Sequence, residues 1–274
     1  MTLLDFLELL PLGQLFFVTM ICGIVVGAAV LIVVRLTVRL IGLPPNWPLL
    51  VRDALISSLS AMFALMVAFS AAGIWNDSIQ ARAAVQREAN AIENIVALSS
   101  NFSEDLRETV HADILRYARR VVESDWPAMR RRADVNETLY DRSNSPLLAL
   151  ITRVSQEGGT RPPPLLEALV AQIVDLRSAR LQREMIARGG VSPAQWLAMV
   201  IIGMGAMIMI AIAHNNSFGL QFVTLSIYVF GVSAAFFVIL AHDRPFVGYL
   251  GVRPIPIEQA IERIERLFKD RALN

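Results

Sequence analysis

Residues whose side chains could do chemistry are few in this sequence and lie far apart. The three histidines, His111, His214 and His242, have no metal-ligand spacing to one another, and the lone cysteine, Cys22, lies within an apolar run. A single cysteine can form neither an intrachain disulfide nor a cysteine-based metal cluster. The sequence also contains no phosphate-binding loop, dinucleotide-binding glycine turn, nucleophile elbow or HExxH motif. We therefore expect no enzymatic activity, no cofactor and no metal site.

The densest charge in the chain is the triplet Arg130-Arg131-Arg132. Clustered guanidinium groups suit phosphate and carboxylate ligands, so contact with lipid headgroups is one interpretation. Acidic residues flank the triplet on both sides, at Glu123 and Asp134. Because short surface charge runs are usually solvated or paired, we favour an internally paired loop. The net charge of +1 gives no basic field for nucleic acid.

The elements that must position any site are helices, and four of them are apolar enough to cross a bilayer. Four runs contain no Asp, Glu, Lys or Arg: Leu12–Val34, Leu55–Trp75, Gln195–Ala213 and Leu220–Ala241. About 20 apolar residues span a bilayer as a helix. The sequence therefore predicts an all-α protein, with a four-pass transmembrane bundle and a helical cytoplasmic domain inserted between passes two and three.

The predicted domain boundaries follow these runs. Residues 1–75 form a first transmembrane pair, with passes at about 12–34 and 55–75, and residues 76–193 form the helical cytoplasmic domain. Residues 194–242 form the second pair, with passes at about 195–213 and 220–241, and residues 243–274 form a cytoplasmic tail with a short helix. The first run has acidic residues before it and is too long for a signal peptide, so we expect a retained helix.

Arginine placement predicts the orientation in the inner membrane. The side that carries both termini and the middle domain has the larger set near the membrane: Arg82, Arg87, Arg177, Arg180, Arg183, Arg188, Arg244 and Arg253. The opposite side has Arg35, Arg39 and Arg52. This count predicts that the N-terminus, the middle domain and the C-terminus are cytoplasmic. The acidic N-terminal segment, followed by Arg35 and Arg39, argues for the opposite orientation.

The second pass has the most regular pattern, because small residues recur on one face at helical spacing. They are Ser57, Ala61, Ala64, Ala68 and Ala72. In lipid, a small-residue face allows helices to pack closely, and it can also leave room for water and ions along a pore. Both interpretations remain open from the residues alone. No ionisable side chain lies within any pass, which argues against a proton relay within this chain.

The second pass is predicted to continue beyond the membrane as one helix to about Leu98, since no Gly or Pro interrupts it. Its apolar face continues through Val85, Ala89 and Ile92, with Glu88 among the polar residues on the remaining faces. An amphipathic helix should follow Ser103 and end near Trp126-Pro127. Further helices are expected at about 146–155 and 165–187, with a Gly- and Pro-rich break at 158–164 and a cap at Ser192-Pro193.

Three stretches together resemble the bestrophin-like domain family of bacterial membrane proteins. The first runs along the second pass and its continuation, through Ala64–Phe69 and then Arg82–Ile92, which includes Glu88 and Asn90. The second runs from Tyr117 to Met129 and includes Trp126-Pro127. The third is Asp243-Arg244-Pro245-Phe246-Val247-Gly248, followed by Pro254. The resemblance covers about residues 57–261.

The resemblance implies an architecture like that of bestrophins, which are four-pass, pentameric anion channels whose second pass lines the pore. It nominates the face from Ser57 to Ala72 as pore lining, with Phe63 or Phe69 as constrictions and Arg82 and Arg87 at the mouth. Bestrophins have a similar turn after the last pass that leads into calcium-binding carboxylates. Here Tyr249-Leu250-Gly251-Val252 follows instead, so the resemblance does not extend to calcium.

The leading hypothesis is an oligomeric, passive channel for anions or small ions in the inner membrane. The alternative is a non-conducting scaffold or sensor, whose region 103–187 binds a protein partner. Proton-channel stator subunits share the two-plus-two layout of passes. If this chain worked as one, a second protein would have to supply the membrane carboxylate that its own passes lack. The expected partners are therefore the lipid bilayer and further copies of this chain, with five copies implied only by the resemblance.

Overall fold

The computed structural model of the chain describes residues 10–41, 49–130, 147, 149–156, 163–248 and 250–272. All regular elements within these ranges are helical, as the sequence predicts. They are α1 (Leu12–Ile41), α2 (Leu49–Ser99), α3 (Glu104–Arg120), α4 (Trp126–Arg130), α5 (Pro163–Ala187), α6 (Pro193–Ala213), α7 (Phe218–His242) and α8 (Ile255–Ala272). A π-helical turn, Val121–Asp125, joins α3 to α4, and a further helical stretch covers residues 149–156.

Four of these helices are long and apolar enough to span a membrane: α1, the Arg52–Ser99 part of α2, α6 and α7. The chain divides into two compact units. The first unit comprises Met1–Asn76 and Gly190–Arg244, and the second comprises Asp77–Gly189 and Pro245–Asn274. Helix α2 therefore contributes its N-terminal part to the first unit and its C-terminal part to the second.

Helices α1 and α7 of the first unit approach each other closely at two glycines. A Cβ atom at Gly23 would overlap the Ser233 hydroxyl, and one at Gly27 would lie 2.7 Å from a methyl carbon of Val229. In lipid, where water does not drive helices together, such close approach maximises the dispersion contacts that hold them. The two glycines are therefore required by the α1–α7 contact.

A second close approach joins α2 to α6. The Phe63 ring lies against Gly203, where an added Cβ would be 3.2 Å from the nearest ring carbon, and Leu59 lies against Gly205. Phe63 also makes an edge-to-face contact with Phe236 of α7, with ring centroids 6.0 Å apart. The aromatic ring thus occupies the space that the glycine leaves, and it links three of the four apolar helices.

Polar contacts fasten one end of the first unit. The buried Gln221 side chain donates to the carbonyl of Ala211 at 2.7 Å and accepts from Arg35 Nε at 2.9 Å. The Arg35 guanidinium also lies over the Phe218 ring, 4.4 Å from its centroid. Because each buried polar atom needs a partner, these contacts fix the register of α1, α6 and α7.

The second unit has its own apolar core, formed by α2, α3, α5 and α8. The stripe predicted for α3 is buried, with Val110 and Ile114 fully enclosed, and Ile92 of α2 and Ile173 of α5 meet it. A fully buried aliphatic side chain of this size contributes about 1.5–3 kcal/mol. The amphipathic tail helix α8 buries Ile257 and its apolar neighbours in the same core.

The predicted end of α3 near Trp126-Pro127 is wrong. The helix continues through the π-helical turn into α4, in which Pro127 is the second residue. In a straight α-helix the proline ring would collide with the carbonyl four residues earlier. The preceding turn is wider, since the Trp126 N–H bonds to the carbonyl of Val121 five residues before it, and this geometry accommodates the proline.

Helix α1 extends to Ile41, beyond the end of the predicted first pass at Val34, and α2 begins at Leu49, before the start of the predicted second pass at Leu55. The start of α6 and the end of α5 agree with the sequence. Ser192 and Gln195 form a reciprocal capping box at the start of α6, with Pro193 as its first residue. Helix α5 ends at Ala187 as expected. Of the break predicted at 158–164, Pro163 and Pro164 form the first turn of α5. Residues 158–162 of the break, the arginines at 131 and 132, and the start of the helix predicted at 146 lie outside the described residues.

Candidate functional site

The small-residue face of the second pass is uncovered in the single chain. We call this face the small strip; its members are Ser57, Ala61, Ala64, Ala68 and Ala72, and all five are exposed. The opposite side of α2 packs inward, with Phe63, Ser70 and Ile74 buried. Packing within the chain therefore uses one side of this helix and leaves the small strip free to face water, lipid or another subunit.

The two phenylalanines nominated as constrictions lie on different sides of α2. Phe63 is only 7% exposed and is enclosed between α6 and α7, whereas Phe69 is 65% exposed. Six residues along a helix turn the side chain by about 600°, so spacing alone places the two rings on different sides of α2. It does not show which of the two sides is packed. The glycine at 203, which receives the Phe63 ring, was the available signal in the sequence.

The two arginines nominated for the mouth are both exposed on α2. Arg87 donates through Nη1 to the side-chain oxygen of Gln182 on α5 at 2.8 Å. Arg82 borders an open cavity together with Arg253. Asn90, one turn beyond Gln86, accepts a hydrogen bond from it at 2.9 Å. This side of α2 in the second unit is therefore polar and cationic.

Glu88 was predicted to lie on the polar side of α2, and this prediction is wrong. It is fully buried and belongs to a buried ionic cluster whose members are Glu88, Tyr117, Asp125, Arg180, Arg183 and Glu184. Glu88 accepts two hydrogen bonds from Arg183, at 2.6 and 3.1 Å, and one from the Tyr117 hydroxyl at 2.6 Å. This two-pronged geometry is the strongest form of ion pair between guanidinium and carboxylate.

Arg180 forms the second half of the buried ionic cluster. It donates to Asp125 at 2.8 Å and to Glu184 at 2.7 Å. Its guanidinium lies 5.6 Å from the Tyr117 ring centroid, and that of Arg183 lies 5.3 Å from the Trp126 ring. The π-helical turn ends at Asp125, so this unusual turn delivers both the carboxylate and the indole to the cluster.

Burial and pairing act in opposite directions on the charges of this cluster. Burial raises the pKa of Asp125, and this effect exceeds the lowering by Arg180 and Arg183. Burial is the largest influence on Arg183 and by itself would lower its pKa, but the charge and hydrogen bonds of Glu88, together with Tyr117 and Asp125, outweigh it and the pKa is raised. The two carboxylates of the cluster differ in their hydrogen bonding. Asp125 Oδ1 is buried without a hydrogen-bond partner among the described residues, whereas both oxygens of Glu88 accept hydrogen bonds.

The cluster was missed in the sequence although a signal for it exists. Arg180 and Arg183 continue the spacing of Ile173 and Leu176 along α5, so they occupy core-facing positions. Charged residues at core positions are nearly always paired. The partner of Arg183, Glu88, is 95 residues away in sequence, and Asp125, a partner of Arg180, is 55 residues away, so only the fold brings them near.

The segment from Asp243 to Gly248, which follows the last pass, makes contacts within both units. In the first unit, Asp243 is buried and its carboxylate accepts from the backbone N–H of Val191 at 2.7 Å. In the second unit, Phe246 is 1% exposed and meets Trp126 edge-to-face at 5.6 Å. Pro245 is buried, and Gly248 has φ of 76°, in the left-handed region that favours glycine. Pro127 is partly buried beside Trp126.

These observations define an all-helical, multi-pass membrane protein. The sequence pattern of the Bestrophin-like domain matches residues 24–257. The chain therefore belongs to the Bestrophin-like family, as its motifs suggested. A comparison with curated proteins finds no match.

Solved structures share the fold at low sequence identity. Two crystal structures of point mutants of a bacterial bestrophin homologue from Klebsiella pneumoniae match with TM-scores of 0.65 and 0.64, at 12% and 16% identity. Each match covers 92% of this chain, and 96% and 98% of the respective homologue chains. A crystal structure described as a membrane protein matches with a TM-score of 0.66 at 14% identity, over 92% of this chain and 96% of its own.

Proposed function

We propose that this protein is an oligomeric, passive channel for anions or small ions in the inner membrane, and that the small strip of α2 lines its axis. Membership of the Bestrophin-like family supports a membrane ion channel architecture. The observation that carries the finer proposal is that the small strip stays exposed while the opposite side of the same helix is packed. A face of alanines and serine leaves space for hydrated ions when several copies surround an axis.

Phe69 is the better candidate for a constriction in this proposal. Its side chain is free to extend from α2, whereas the Phe63 ring is committed to the contact with Gly203. A ring of phenylalanines would form an apolar narrowing that water enters with difficulty. Phe63 would then act by holding α2 against α6.

The proposal places Arg82 and Arg87 at the mouth of the axis. Five helical turns, at about 3.6 residues per turn, separate Ala64 from Arg82 and Phe69 from Arg87. Each arginine is thus in phase with a residue proposed to line the axis. Rings of guanidinium groups raise the local concentration of anions and would favour anion entry.

Assembly into a homo-oligomer follows from the proposed axis, since one helix cannot enclose a pathway. Five copies are suggested only by the likeness to bestrophins. We further propose that the middle region, inserted between passes two and three, and both termini face the cytoplasm.

The pore assignment is tested by introducing bulk into the small strip. Ala64→Trp and Ala68→Trp should each reduce ion flux through purified protein in liposomes by at least about tenfold, because an indole ring in every subunit would fill the axis. The matched control is Ile201→Trp, which places the same side chain at a 60% exposed position on α6. Unaltered flux in both strip variants, with intact assembly, would show that the strip does not line the pathway.

The single cysteine permits a second test. Replacing Cys22, which is exposed in α1, by serine gives a background without cysteine. Cysteines introduced at Ala61, Ala64 and Ala68 should then react with a charged thiosulfonate from the water phase and block flux. A cysteine at Met66, which is partly buried on the packed side of α2, should react at least tenfold more slowly. Equal reactivity at all four positions would contradict a water-filled strip.

The scaffold alternative makes a different prediction in the same assays. Wild-type liposomes would show no flux above empty ones, and the strip would be inaccessible to the reagent because it packs against a neighbouring helix. Capture of a protein partner would then have to depend on the 103–187 region.

A further inference from the structure

An open cavity of about 420 Å³ lies in the second unit, between α2 and the segment that leads into α8. Arg82 and Gln86 of α2 line one side, and Arg253 and Ile255 line the other. None of its lining residues among the described parts of the chain is a carboxylate. We propose that this cavity binds a phosphate-bearing anion between the guanidinium groups of Arg82 and Arg253.

Both guanidinium groups are available for a ligand. Arg82 and Arg253 are exposed, and within the described ranges neither forms a hydrogen bond or ion pair. Elsewhere in the second unit exposed arginines do find carboxylates, as Arg119 does with Glu265 and Arg263 with Glu93. Two unpaired cations on one cavity repel each other, and an anion between them removes that repulsion.

The start of α8 adds to the positive potential. Ile255 and Pro256, the first two residues of this helix, line the cavity. The N-terminus of an α-helix carries a partial positive charge, which favours phosphate. The N–H groups of Ile257 and Glu258 already bond to the Pro254 carbonyl, so α8 contributes its dipole and not a set of free donors. Glu258 lies in the first turn of α8 but does not line the cavity.

The segment that carries Arg253 is held in place by backbone contacts. The Val252 N–H donates to the carbonyl of Pro245 at 2.6 Å, and the Val252 carbonyl accepts from the Trp126 indole at 3.3 Å. An added Cβ at Gly251 would lie 3.0 Å from the backbone carbon of Phe246. Because this packing leaves the segment little freedom, the backbone at Arg253 is positioned before a ligand arrives, and less entropy is lost on binding.

The chemistry favours phosphate over a halide ion. Guanidinium groups match phosphate oxygens with pairs of parallel hydrogen bonds, and two such groups can engage different oxygens of one phosphate. The cavity volume falls within the range of small-molecule sites, which exceeds what a single halide fills. A phosphate of this kind could belong to the headgroup of an anionic phospholipid or to a soluble metabolite. Arg82 follows Trp75, the end of the second apolar run, by about two helical turns.

This inference does not rest on the proposed channel function, because its readout is binding. Arg82 is also the residue proposed for the mouth of the axis, so the first variant is Arg253→Gln, which the channel proposal does not use. Arg253→Lys retains the positive charge but removes the guanidinium group that can donate two parallel hydrogen bonds to phosphate. Arg266→Gln is the matched control, since it removes one exposed arginine from α8 in the same unit.

The experiment compares two probes on purified, full-length protein with unchanged thermal midpoint. The first probe is glycerol 3-phosphate, titrated calorimetrically in detergent. The second is retention of phosphatidylglycerol from mixed phosphatidylcholine nanodiscs, measured by native mass spectrometry. We expect Arg253→Gln and Arg82→Gln to weaken binding of at least one probe by about tenfold or more, Arg253→Lys to lie between, and Arg266→Gln to match the wild type.

The two probes distinguish the sources of the phosphate. Loss confined to phosphatidylglycerol assigns the site to a lipid headgroup, and loss for glycerol 3-phosphate in detergent assigns it to a soluble phosphate. If Arg253→Gln and Arg266→Gln bind both probes as the wild type does, the cavity is not a phosphate site. That result would leave the channel proposal standing, because the channel is tested by ion flux in liposomes and this site by binding. The two proposals can therefore fail separately.

Discussion

Glu88 and Arg183 are both buried away from water in the folded protein. The charge of each is compensated mainly by the other. Arg183 is fully buried, and its charge is balanced mainly by two hydrogen bonds to Glu88. Removing one partner of such a pair leaves a buried charge without compensation, which typically costs about 3–5 kcal/mol. The pair therefore makes the packing of α2 against α5 specific, whatever its net contribution to stability.

We expect Glu88→Gln to lower the thermal midpoint far more than Asp125→Asn. The first change leaves Arg183 without its principal carboxylate, whereas after the second Arg180 retains Glu184 at 2.7 Å. Circular dichroism of the detergent-solubilised protein measures both. Glu93→Gln, which breaks an exposed pair with Arg263, is the control and should change stability by less than about 1 kcal/mol. Equal midpoints for Glu88→Gln and Glu93→Gln would contradict the role given to Glu88.

The raised pKa of Asp125 predicts a specific pH dependence. Since burial raises the pKa above the unfolded value of 3.8, the folded state binds a proton more readily than the unfolded state. Stability from this residue is therefore present at low pH and is lost as pH rises from about 3.8 through the raised pKa. The difference in midpoint, wild type minus Asp125→Asn, should be smaller at pH 7.5 than at pH 4.5. A difference that grows with pH would mean that ion pairing dominates at Asp125.

At the scale of the helices, glycines decide which surfaces can meet. Gly23 and Gly27 permit the α1–α7 contact, and Gly203 receives the Phe63 ring. In lipid these contacts depend on shape, because the surrounding chains are as apolar as the side chains. A single methyl group in the wrong place therefore has a large effect on the packing of the first unit.

We expect Gly23→Val to disrupt the α1–α7 contact, because its side chain would overlap Ser233. The control is Gly231→Val on α7, where no atom lies within 4 Å of an added Cβ. The first variant should lower the thermal midpoint by several degrees or prevent purification as a single species. The second should behave as the wild type does. A wild-type midpoint for Gly23→Val would show that the two helices can separate without loss of stability.

Much of the helical layout could be predicted from the sequence, because apolar periodicity is a local signal. The continuity of α2 as far as Ser99 and the buried stripe of α3 both follow from spacing alone. The side of α2 on which Glu88 lies could not be predicted in this way. Its burial depends on Arg183, and local patterning treats a charged residue as exposed unless its partner is known.

The π-helical turn and the two phenylalanines of α2 also show what local sequence patterns cannot predict. The proline at 127 suggested a helix end, but a wider turn accommodates it and brings Asp125 into the cluster. Phe63 and Phe69 lie on different sides of α2 by their spacing, but only the fold shows that the Phe63 side packs, with its ring against Gly203. Site residues that act through distant partners therefore require the fold before their roles can be assigned.

At the scale of the whole molecule, the orientation in the membrane depends on which arginines face the lipid headgroups. Arg180 and Arg183 were part of the positive-inside count, but both are buried and paired in the second unit. The rest of that count, including Arg82 and Arg253, is exposed or partly exposed, and it still exceeds the three arginines on the other side. The proposal that the middle region is cytoplasmic therefore survives with fewer contributing charges.

Cysteine labelling in intact cells can test this orientation, because Cys22→Ser removes the only native thiol. Ser217 lies at the start of α7 with no side-chain capping bond, and Ser124 lies in the π-helical turn; both are exposed. With the middle region cytoplasmic, a membrane-impermeant maleimide should label Ser217→Cys in intact cells. It should label Ser124→Cys only after permeabilisation. The reverse pattern would establish the opposite orientation, and it would mean that the acidic N-terminal segment with Arg35 and Arg39 outweighs the larger set of arginines.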